Sequence, residues 1–229
     1  MSRTDRFVNN FLSFRGTILK FLTKLVLCSA LISGPAIAGS ATKHAYASLP
    51  KPTTVAIAIS EAKAPWGWTD FCTRHADECE ADTTSATTVA VTPENWKLIQ
   101  DINLDVNSSI SEASDQTIYG VPERWEYPTS GSGDCEDYAL EKRKRLIKAG
   151  LPRQALLLTV VVDEGGFGHA ILTVRTSTGD YELDNRVDRI LSWENTGYGF
   201  VKEQASDNPN HWVRLGAPTT PLMTATAQK

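Results

Sequence analysis

Three side chains in the second half of the chain have the types needed for a nucleophilic site. They are the thiol of Cys135, the imidazole of His169 and the carboxylate of Asp184. A thiol attacks as its thiolate, so it needs a basic neighbour or a helix dipole that lowers its pKa. A histidine held between thiol and carboxylate supplies the base and fixes its orientation. Spacing alone leaves ordinary alternatives open, namely a structural strand histidine and a turn aspartate.

The nucleophile candidate lies at the start of a predicted helix. A turn-rich passage over 119–133 precedes it, and the helix is predicted over 135–149, where Gly150 and Pro152 end it. One face of this helix carries residues at a spacing of three and four. They are Cys135, Ala139, Lys142, Leu146 and Ala149. The thiol would therefore sit at the positive end of the helix dipole, on the face that packs inward.

Three strand-like runs follow the helix, over 155–162, 169–175 and 181–184. They predict an antiparallel meander, with a turn at 178–179 between the last two strands. If the meander packs on the helix, His169 and Asp184 lie at the same edge of the sheet. We therefore predict an α+β fold in which the nucleophile helix packs on an antiparallel sheet.

Three motifs around these residues resemble the bacterial transglutaminase-like cysteine proteinase family. They are Gly133-Asp134-Cys135-Glu136-Asp137-Tyr138-Ala139, Gly168-His169-Ala170 and Leu183-Asp184-Asn185. The resemblance extends over about 66–215. It implies a papain-like, transglutaminase-like core, hydrolysis of peptide bonds, and catalytic roles for Cys135, His169 and Asp184.

The resemblance also implies calcium dependence, with Asp134, Glu136 and Asp137 as the matching acidic residues. Carboxylates around a cysteine disfavour its thiolate by like-charge repulsion. A hard cation held by their oxygens would remove that penalty. Alternatively, Asp134 is a helix N-cap and the other two are favourable charges in the first turn.

The N-terminal residues 1–38 have the layout of a secretory signal peptide. Basic residues precede a charge-free run over 25–38 that ends in Ala-Ile-Ala before Gly39. An uncleaved anchor is the alternative, although the run is short for a membrane span. We predict a periplasmic or secreted protein with a flexible segment over 39–65, a peptidase domain over 66–215 and a disordered tail over 216–229.

Removal of 1–38 leaves the cysteines Cys72, Cys79 and Cys135. In an oxidising compartment Cys72 and Cys79 are the natural disulfide pair, which leaves Cys135 as a free thiol. A metal site built from Cys72, His75 and Cys79 is the alternative, but no second ligand cluster lies nearby in the sequence.

The charge balance argues against nucleic acid as a partner. The formal net charge is −4, and loss of the five basic residues and one acidic residue in 1–38 moves it to −8. The one basic cluster, over 142–145, is interpreted as a solvated face of the predicted helix.

Together, these features predict an exported cysteine endopeptidase that cleaves protein substrates through a thioester. The backbone N–H of Cys135 is the expected oxyanion donor, with the indole of Trp125 as an additional candidate. Acyl transfer to an amine and a non-catalytic calcium- or peptide-binding module are the alternatives. The resemblance suggests a surface protein or adhesin as substrate and a membrane receptor as partner, but no segment identifies such a receptor.

Overall fold

A seven-stranded antiparallel sheet is the centre of the fold in the computed structural model, which describes residues 48–82 and 84–216. The strand order is β1-β9-β8-β4-β5-β6-β7. The strands of this sheet are β1 (Ala58–Ala62), β4 (Leu156–Val162), β5 (Gly168–Thr176), β6 (Gly179–Leu183), β7 (Leu191–Ser192), β8 (Gly199–Ala205) and β9 (Asn208–Leu215). Two short strands, β2 (Ser111–Glu112) and β3 (Ser132–Gly133), form a separate parallel pair.

Four α-helices accompany the sheet in the described residues. They are α1 (Trp66–Arg74), α2 (Pro93–Ser109), α3 (Asp115–Ile118) and α4 (Cys135–Lys148). Helix α2 begins where Thr92 Oγ1 accepts a hydrogen bond from the backbone N–H of Asn95 at 3.2 Å. Its apolar stripe packs inward, with Trp96, Ile99 and Val106 buried.

Helix α4 packs on β5, and the interface explains the sequence of both elements. Leu172 and Val174 lie two residues apart in β5 and therefore on the same face of the sheet. They belong to one core cluster with Ala139, Leu140 and Leu146 of α4. Burial of each such side chain is worth about 1.5–3 kcal/mol, so this interface fixes the helix on the sheet. The predicted α+β fold, with the nucleophile helix on an antiparallel sheet, is confirmed.

The segment before the sheet is tied to it by backbone hydrogen bonds. Strand β1 is an edge strand that pairs antiparallel with β9, and Thr53 N–H donates to the carbonyl of Thr178 at 2.8 Å. The described part of the predicted flexible segment 39–65 therefore contributes to the sheet. The predicted signal peptide over 1–38 and nearly all of the predicted tail over 216–229 lie outside the described residues.

Cys72 and Cys79 form a disulfide with Cα atoms 5.8 Å apart, and Cys135 is a free thiol. The bridge joins α1 to the short 3₁₀ turn Ala76–Cys79. His75 lies between the two cysteines in sequence, but its Nε2 contacts Glu126 Oε1 at 2.6 Å. The structure thus has the disulfide in place of the alternative metal site.

The basic run over 142–145 is not a solvated face, so this interpretation was wrong. Lys142 and Arg143 are buried, and Arg143 Nε donates to the carbonyl of Leu156 at 3.1 Å. Lys144 is exposed and Arg145 is half-buried. Helix α4 contacts both the sheet and α2, so two of the four basic positions must face inward.

Across the described ranges 48–82 and 84–216, none of the helices combines the length and the apolar character that a membrane crossing needs.

Candidate active site

Cys135, His169 and Asp184 meet at one end of the sheet. Cys135 is the first residue of α4, and its Sγ accepts a hydrogen bond from the backbone N–H of Ala170 at 3.4 Å. His169 is buried next to Ala170 in β5, and its Nε2 donates to Asp184 Oδ1 at 2.8 Å. The other ring nitrogen, Nδ1, is buried without a partner in the described residues. Cys135 and His169 line the same cavity, so Nδ1 is the nitrogen left for the thiol side of the ring.

The carboxylate of Asp184 is held by three donors. Besides His169, the backbone N–H of Arg186 donates to Oδ1 at 3.0 Å and the hydroxyl of Tyr198 donates to Oδ2 at 2.6 Å. Burial alone would raise the pKa of Asp184, but the hydrogen bonds from these groups lower it overall. Asp184 is therefore an ionised acceptor with a fixed orientation.

Sequence analysis missed Tyr198. Its ring also packs edge-on against His169, with centroids 5.6 Å apart, so it contacts both members of the His169–Asp184 pair. It lies in the loop before β8, fourteen residues after Asp184, and no spacing rule connects the two positions. The only sequence signal was that Tyr198 lies between Gly197 and Gly199, and this does not indicate which residue its hydroxyl contacts.

The cavity beside Cys135 has a volume of about 280 Å³. Its lining includes Glu123, Trp125, Glu136, Val160 and Lys202. The indole N–H of Trp125 donates to Glu123 Oε1 at 2.8 Å, so it is not free to act as an oxyanion donor. In this geometry the first backbone N–H groups of α4, which have no partner within the helix, are the remaining candidates for the oxyanion donor.

Three carboxylates converge beside Cys135 and could hold a metal ion; we call them the acidic cluster. Asp115, Asp134 and Glu136 each offer an oxygen, and these oxygens all lie within 4.8 Å of one another. Each residue also has one buried oxygen that lacks a hydrogen-bond partner in the described residues. A set of inward-facing carboxylate oxygens without donors is the environment that a hard cation prefers. The residues present therefore fit a metal ion.

Two of the three acidic residues named from the sequence, Asp134 and Glu136, belong to this cluster. Asp134 occupies the N-cap position of α4, yet its side chain makes no capping bond and its Oδ2 accepts from the N–H of Asp115 at 3.2 Å. Asp137 lies outside the cluster, and its Oδ1 accepts from the N–H of Glu126 at 2.9 Å. Asp115 was missed because it opens a four-residue helix, where an aspartate is normally explained as a helix-start residue.

Burial and mutual repulsion disfavour ionisation of the acidic cluster. Burial raises the pKa of Glu136 to about 9, and the neighbouring charge of Asp134 adds to the effect. Burial also raises the pKa of Asp115 to about 6, again with a contribution from Asp134. The same causes act on the thiol, because burial and the Glu136 carboxylate raise the pKa of Cys135. The protein groups alone thus work against a thiolate at Cys135.

A helix that begins at a cysteine and packs on an antiparallel sheet beside a His–Asp pair is the arrangement of a papain-like cysteine hydrolase. The family model of the bacterial transglutaminase-like cysteine proteinases matches residues 58–220 of the chain. The protein belongs to this family and is a cysteine peptidase of the transglutaminase-like type.

The chain is also similar to solved structures of LapG from Legionella pneumophila. The calcium-bound form is 20% identical, with a TM-score of 0.45 over 57% of this chain and 79% of that chain. The EGTA-treated form is 21% identical, with a TM-score of 0.45 over 54% and 72% of the two chains. No curated protein matches the sequence significantly.

Proposed function

We propose that the protein is an endopeptidase in which Cys135 is the nucleophile, His169 the general base and Asp184 its orienter. The observation that carries the proposal is the orientation of His169. Its Nε2 is bound to Asp184 at 2.8 Å, while the buried Nδ1 is unpartnered in the described residues, and His169 and Cys135 line the same cavity. This leaves one basic nitrogen, in a fixed ring, for the proton of the thiol.

In the first half-reaction, His169 Nδ1 takes the thiol proton while Cys135 Sγ attacks the carbonyl carbon of the scissile peptide bond. The backbone N–H groups at the start of α4 stabilise the negative oxygen of the tetrahedral intermediate. When the carbon–nitrogen bond breaks, the imidazolium returns the proton to the leaving amine. The acyl group remains on sulfur as a thioester.

In the second half-reaction, water attacks the thioester carbon and gives a proton to His169 Nδ1. The carbon–sulfur bond then breaks, the thiolate recovers the proton, and the carboxylic acid product leaves. Asp184 stays ionised throughout, because its three hydrogen-bond donors favour the charged form.

We also propose that Asp115, Asp134 and Glu136 hold a calcium ion. Support comes from two observations: the three residues bring carboxylate oxygens within 4.8 Å of one another, and each residue has one buried oxygen without a partner in the described residues. A bound divalent cation would supply positive charge next to Cys135 and so favour its thiolate. Calcium accepts carboxylate oxygens in irregular geometry more readily than magnesium, which requires near-ideal octahedral coordination.

Export of the protein to an oxidising compartment is part of the proposal. The Cys72–Cys79 disulfide supports it, because such bonds persist mainly in periplasmic and secreted proteins. The signal-like sequence over 1–38 points the same way. A substrate in that compartment is then an exported protein, and we propose a surface protein such as an adhesin.

The test is hydrolysis of an unfolded protein substrate, with products identified by mass spectrometry. Cys135→Ala should abolish cleavage, and the wild-type protein trapped during turnover should carry an acyl adduct on Cys135. Cleavage by Cys135→Ala at the wild-type rate would contradict the proposal. The same reaction with an added primary amine separates hydrolysis from acyl transfer, since amide products instead of acids would show transfer.

A further inference from the structure

One row of residues crosses the sheet from the candidate active site to the edge strand β1. It comprises, each paired with the next by the strand register, Ala170 of β5, Val160 of β4, Lys202 of β8, Arg214 of β9 and Ser60 of β1. Residues directly opposite each other in an antiparallel pair share a face of the sheet. The row begins at the thiol, because the N–H of Ala170 donates to Cys135 Sγ. It contains two cations and no carboxylate.

The two cations of this row, Lys202 and Arg214, lie directly opposite each other on β8 and β9. Like charges in this position destabilise a sheet. Neither side chain forms a salt bridge within the described residues. Burial lowers the pKa of Lys202, and no neighbouring carboxylate opposes that effect. The pair is thus unfavourable for the sheet by itself, and an anionic group brought from outside the protein would relieve the repulsion.

Lys202 lines the cavity that Cys135 and His169 also line, and its side chain is half-buried. Its Nζ donates to the carbonyl of Lys63 at 3.0 Å, which holds the ammonium group in place and leaves its remaining N–H groups for another acceptor. Two strand spacings, about 10 Å, separate Lys202 from Ala170. An extended peptide covers that distance in about three residues. A substrate bound at Cys135 can therefore bring a side chain to Lys202.

We propose that Lys202, with Arg214 opposite it, forms a subsite that binds an acidic side chain of the polypeptide substrate, within about three residues of the scissile bond. The proposal rests on the proposed function, since it needs Cys135 as the nucleophile. A carboxylate bound there accepts a charge-assisted hydrogen bond from Lys202 and balances the two opposed cations. Glu123 and Glu136 line the same cavity, so an acidic residue is favoured only at the position that reaches Lys202.

The experiment begins with the tryptic peptides of a bacterial proteome, which are digested with the protein in the presence of calcium. Mass spectrometry of the cleaved peptides gives the residue preference at each position around the cleaved bond. We expect Asp and Glu to be enriched at one position within about three residues of that bond. Cleavage without such enrichment would overturn the proposal and leave the proposed function standing. Absence of any cleavage would contradict the proposed function and this inference together.

Two peptides that differ only in Asp or Asn at the enriched position then measure the discrimination. The wild-type protein should cleave the Asp peptide with a kcat/KM about tenfold higher, as expected for one hydrogen bond to a charged group. Lys202→Met should bring the ratio close to one, and Lys202→Glu should invert it. Lys148→Glu is the matched control, because it changes the net charge by the same amount at an exposed position of α4 and should keep the wild-type ratio.

A structural role of Lys202 is separated from substrate recognition by the ratio itself. If Lys202→Met lowers kcat/KM equally for both peptides, Lys202 does not read the charge of the substrate and the proposal fails. Lys202→Arg keeps the charge and should keep most of the discrimination. Arg214→Met should lower the ratio only about twofold, because Arg214 is exposed. If Lys202→Met does not fold, Lys202→Arg and Arg214→Glu carry the comparison, and loss of discrimination in Lys202→Arg with none in Arg214→Glu would overturn the proposal.

Discussion

Two groups of buried carboxylates lie in this fold, and their hydrogen-bonding differs. The acidic cluster beside Cys135 has three carboxylates that form no salt bridge within the described residues. The second group lies across four strands of the sheet, and we call it the Arg175 network. It comprises Thr159, Thr173, Arg175, Asp180, Glu182 and Glu203.

In the Arg175 network the protein supplies its own cation and donors. Arg175 Nη2 donates to Glu203 Oε1 at 2.8 Å and to Asp180 Oδ2 at 3.0 Å. Thr173 Oγ1 donates to Glu182 Oε2 at 2.7 Å. The strand register pairs Glu203 with Thr159 and Thr173 with Glu182, and the hydroxyls of the two threonines form a hydrogen bond at 2.6 Å. This network is thus part of the sheet itself, whereas the acidic cluster brings three carboxylates together beside Cys135.

The comparison indicates that burial of acidic residues is not in itself a sign of function. What distinguishes the acidic cluster is that three carboxylates without a salt bridge in the described residues bring oxygens within 4.8 Å of one another at the start of the nucleophile helix. Substituting one carboxylate in each group therefore tests which group is needed for calcium binding and hydrolysis.

The largest effect on calcium affinity and activity is expected for Asp115→Asn. Asp115 is the cluster member farthest in sequence from Cys135, so its substitution leaves α4 unchanged. Loss of one charged ligand should raise the dissociation constant for calcium at least about tenfold, with activity at limiting calcium falling in step. Calorimetric titration with calcium and a hydrolysis assay over the same concentrations measure both effects.

Glu182→Gln is the matched control, because Glu182 is equally buried but belongs to the Arg175 network. It should bind calcium and cleave substrate like the wild type. An unchanged calcium affinity for Asp115→Asn would contradict the assignment of the acidic cluster as a cation site. Titration with magnesium in parallel tests the choice of cation.

A smaller effect is expected for Tyr198→Phe, which removes one of the three donors to Asp184. A hydrogen bond to a charged group is worth about 1.5–3 kcal/mol, so kcat/KM should fall about tenfold or more. Loss of the donor also raises the pKa of Asp184, so the acidic limb of the activity profile should move to higher pH.

The control for this variant is Tyr181→Phe. Tyr181 donates its hydroxyl to the carbonyl of Lys51 at 2.7 Å, away from the site. Removal of that hydroxyl should cost stability without moving the pH profile. If both variants lose activity equally and neither profile moves, Tyr198 is only a packing residue.

Local sequence patterns predicted the parts of the site that lie on regular elements. Cys135 was predicted at a helix start after a turn-rich passage, and His169 and Asp184 at the start and the end of neighbouring strand-like runs. In the structure Cys135 begins α4, His169 lies in β5 and Asp184 directly follows β6. The disulfide was predicted because Cys72 and Cys79 lie close together in the sequence of a chain expected in an oxidising compartment. These are short-range signals, and the family motifs point to the same residues.

The parts that were missed depend on contacts between distant segments. Tyr198 reaches Asp184 from a loop, and Asp115 reaches Asp134 from a separate short helix. Lys142 was misassigned because a run of four basic residues is usually solvated, whereas α4 here is covered on two sides. Periodicity identifies the inward face of a helix, but it does not predict which charged side chains on that face find a hydrogen-bond partner.

The smallest effect on activity and a distinct effect on stability are expected for Glu182→Gln. Burial, together with the charges of Asp180 and Glu203, raises the pKa of Glu182 well above its ordinary value, despite the hydrogen bond from Thr173 and the charge of Arg175. A carboxyl group whose pKa is raised in the folded state contributes stability below the unfolded pKa, near 4.3. That contribution is lost as the pH rises through the folded value.

Glutamine at position 182 does not ionise, so the variant should unfold like the wild type near pH 4 and be more stable at pH 8. The gain in the free energy of unfolding should appear between pH 4 and pH 8, because only the wild-type protein loses stability as Glu182 ionises. Urea unfolding at the two pH values measures it, with hydrolysis of substrate followed in the same preparations. Destabilisation of the variant at pH 8 would mean that Arg175 needs ionised Glu182 as a partner. Burial would then not be the main effect on Glu182, which would contradict this account of the Arg175 network.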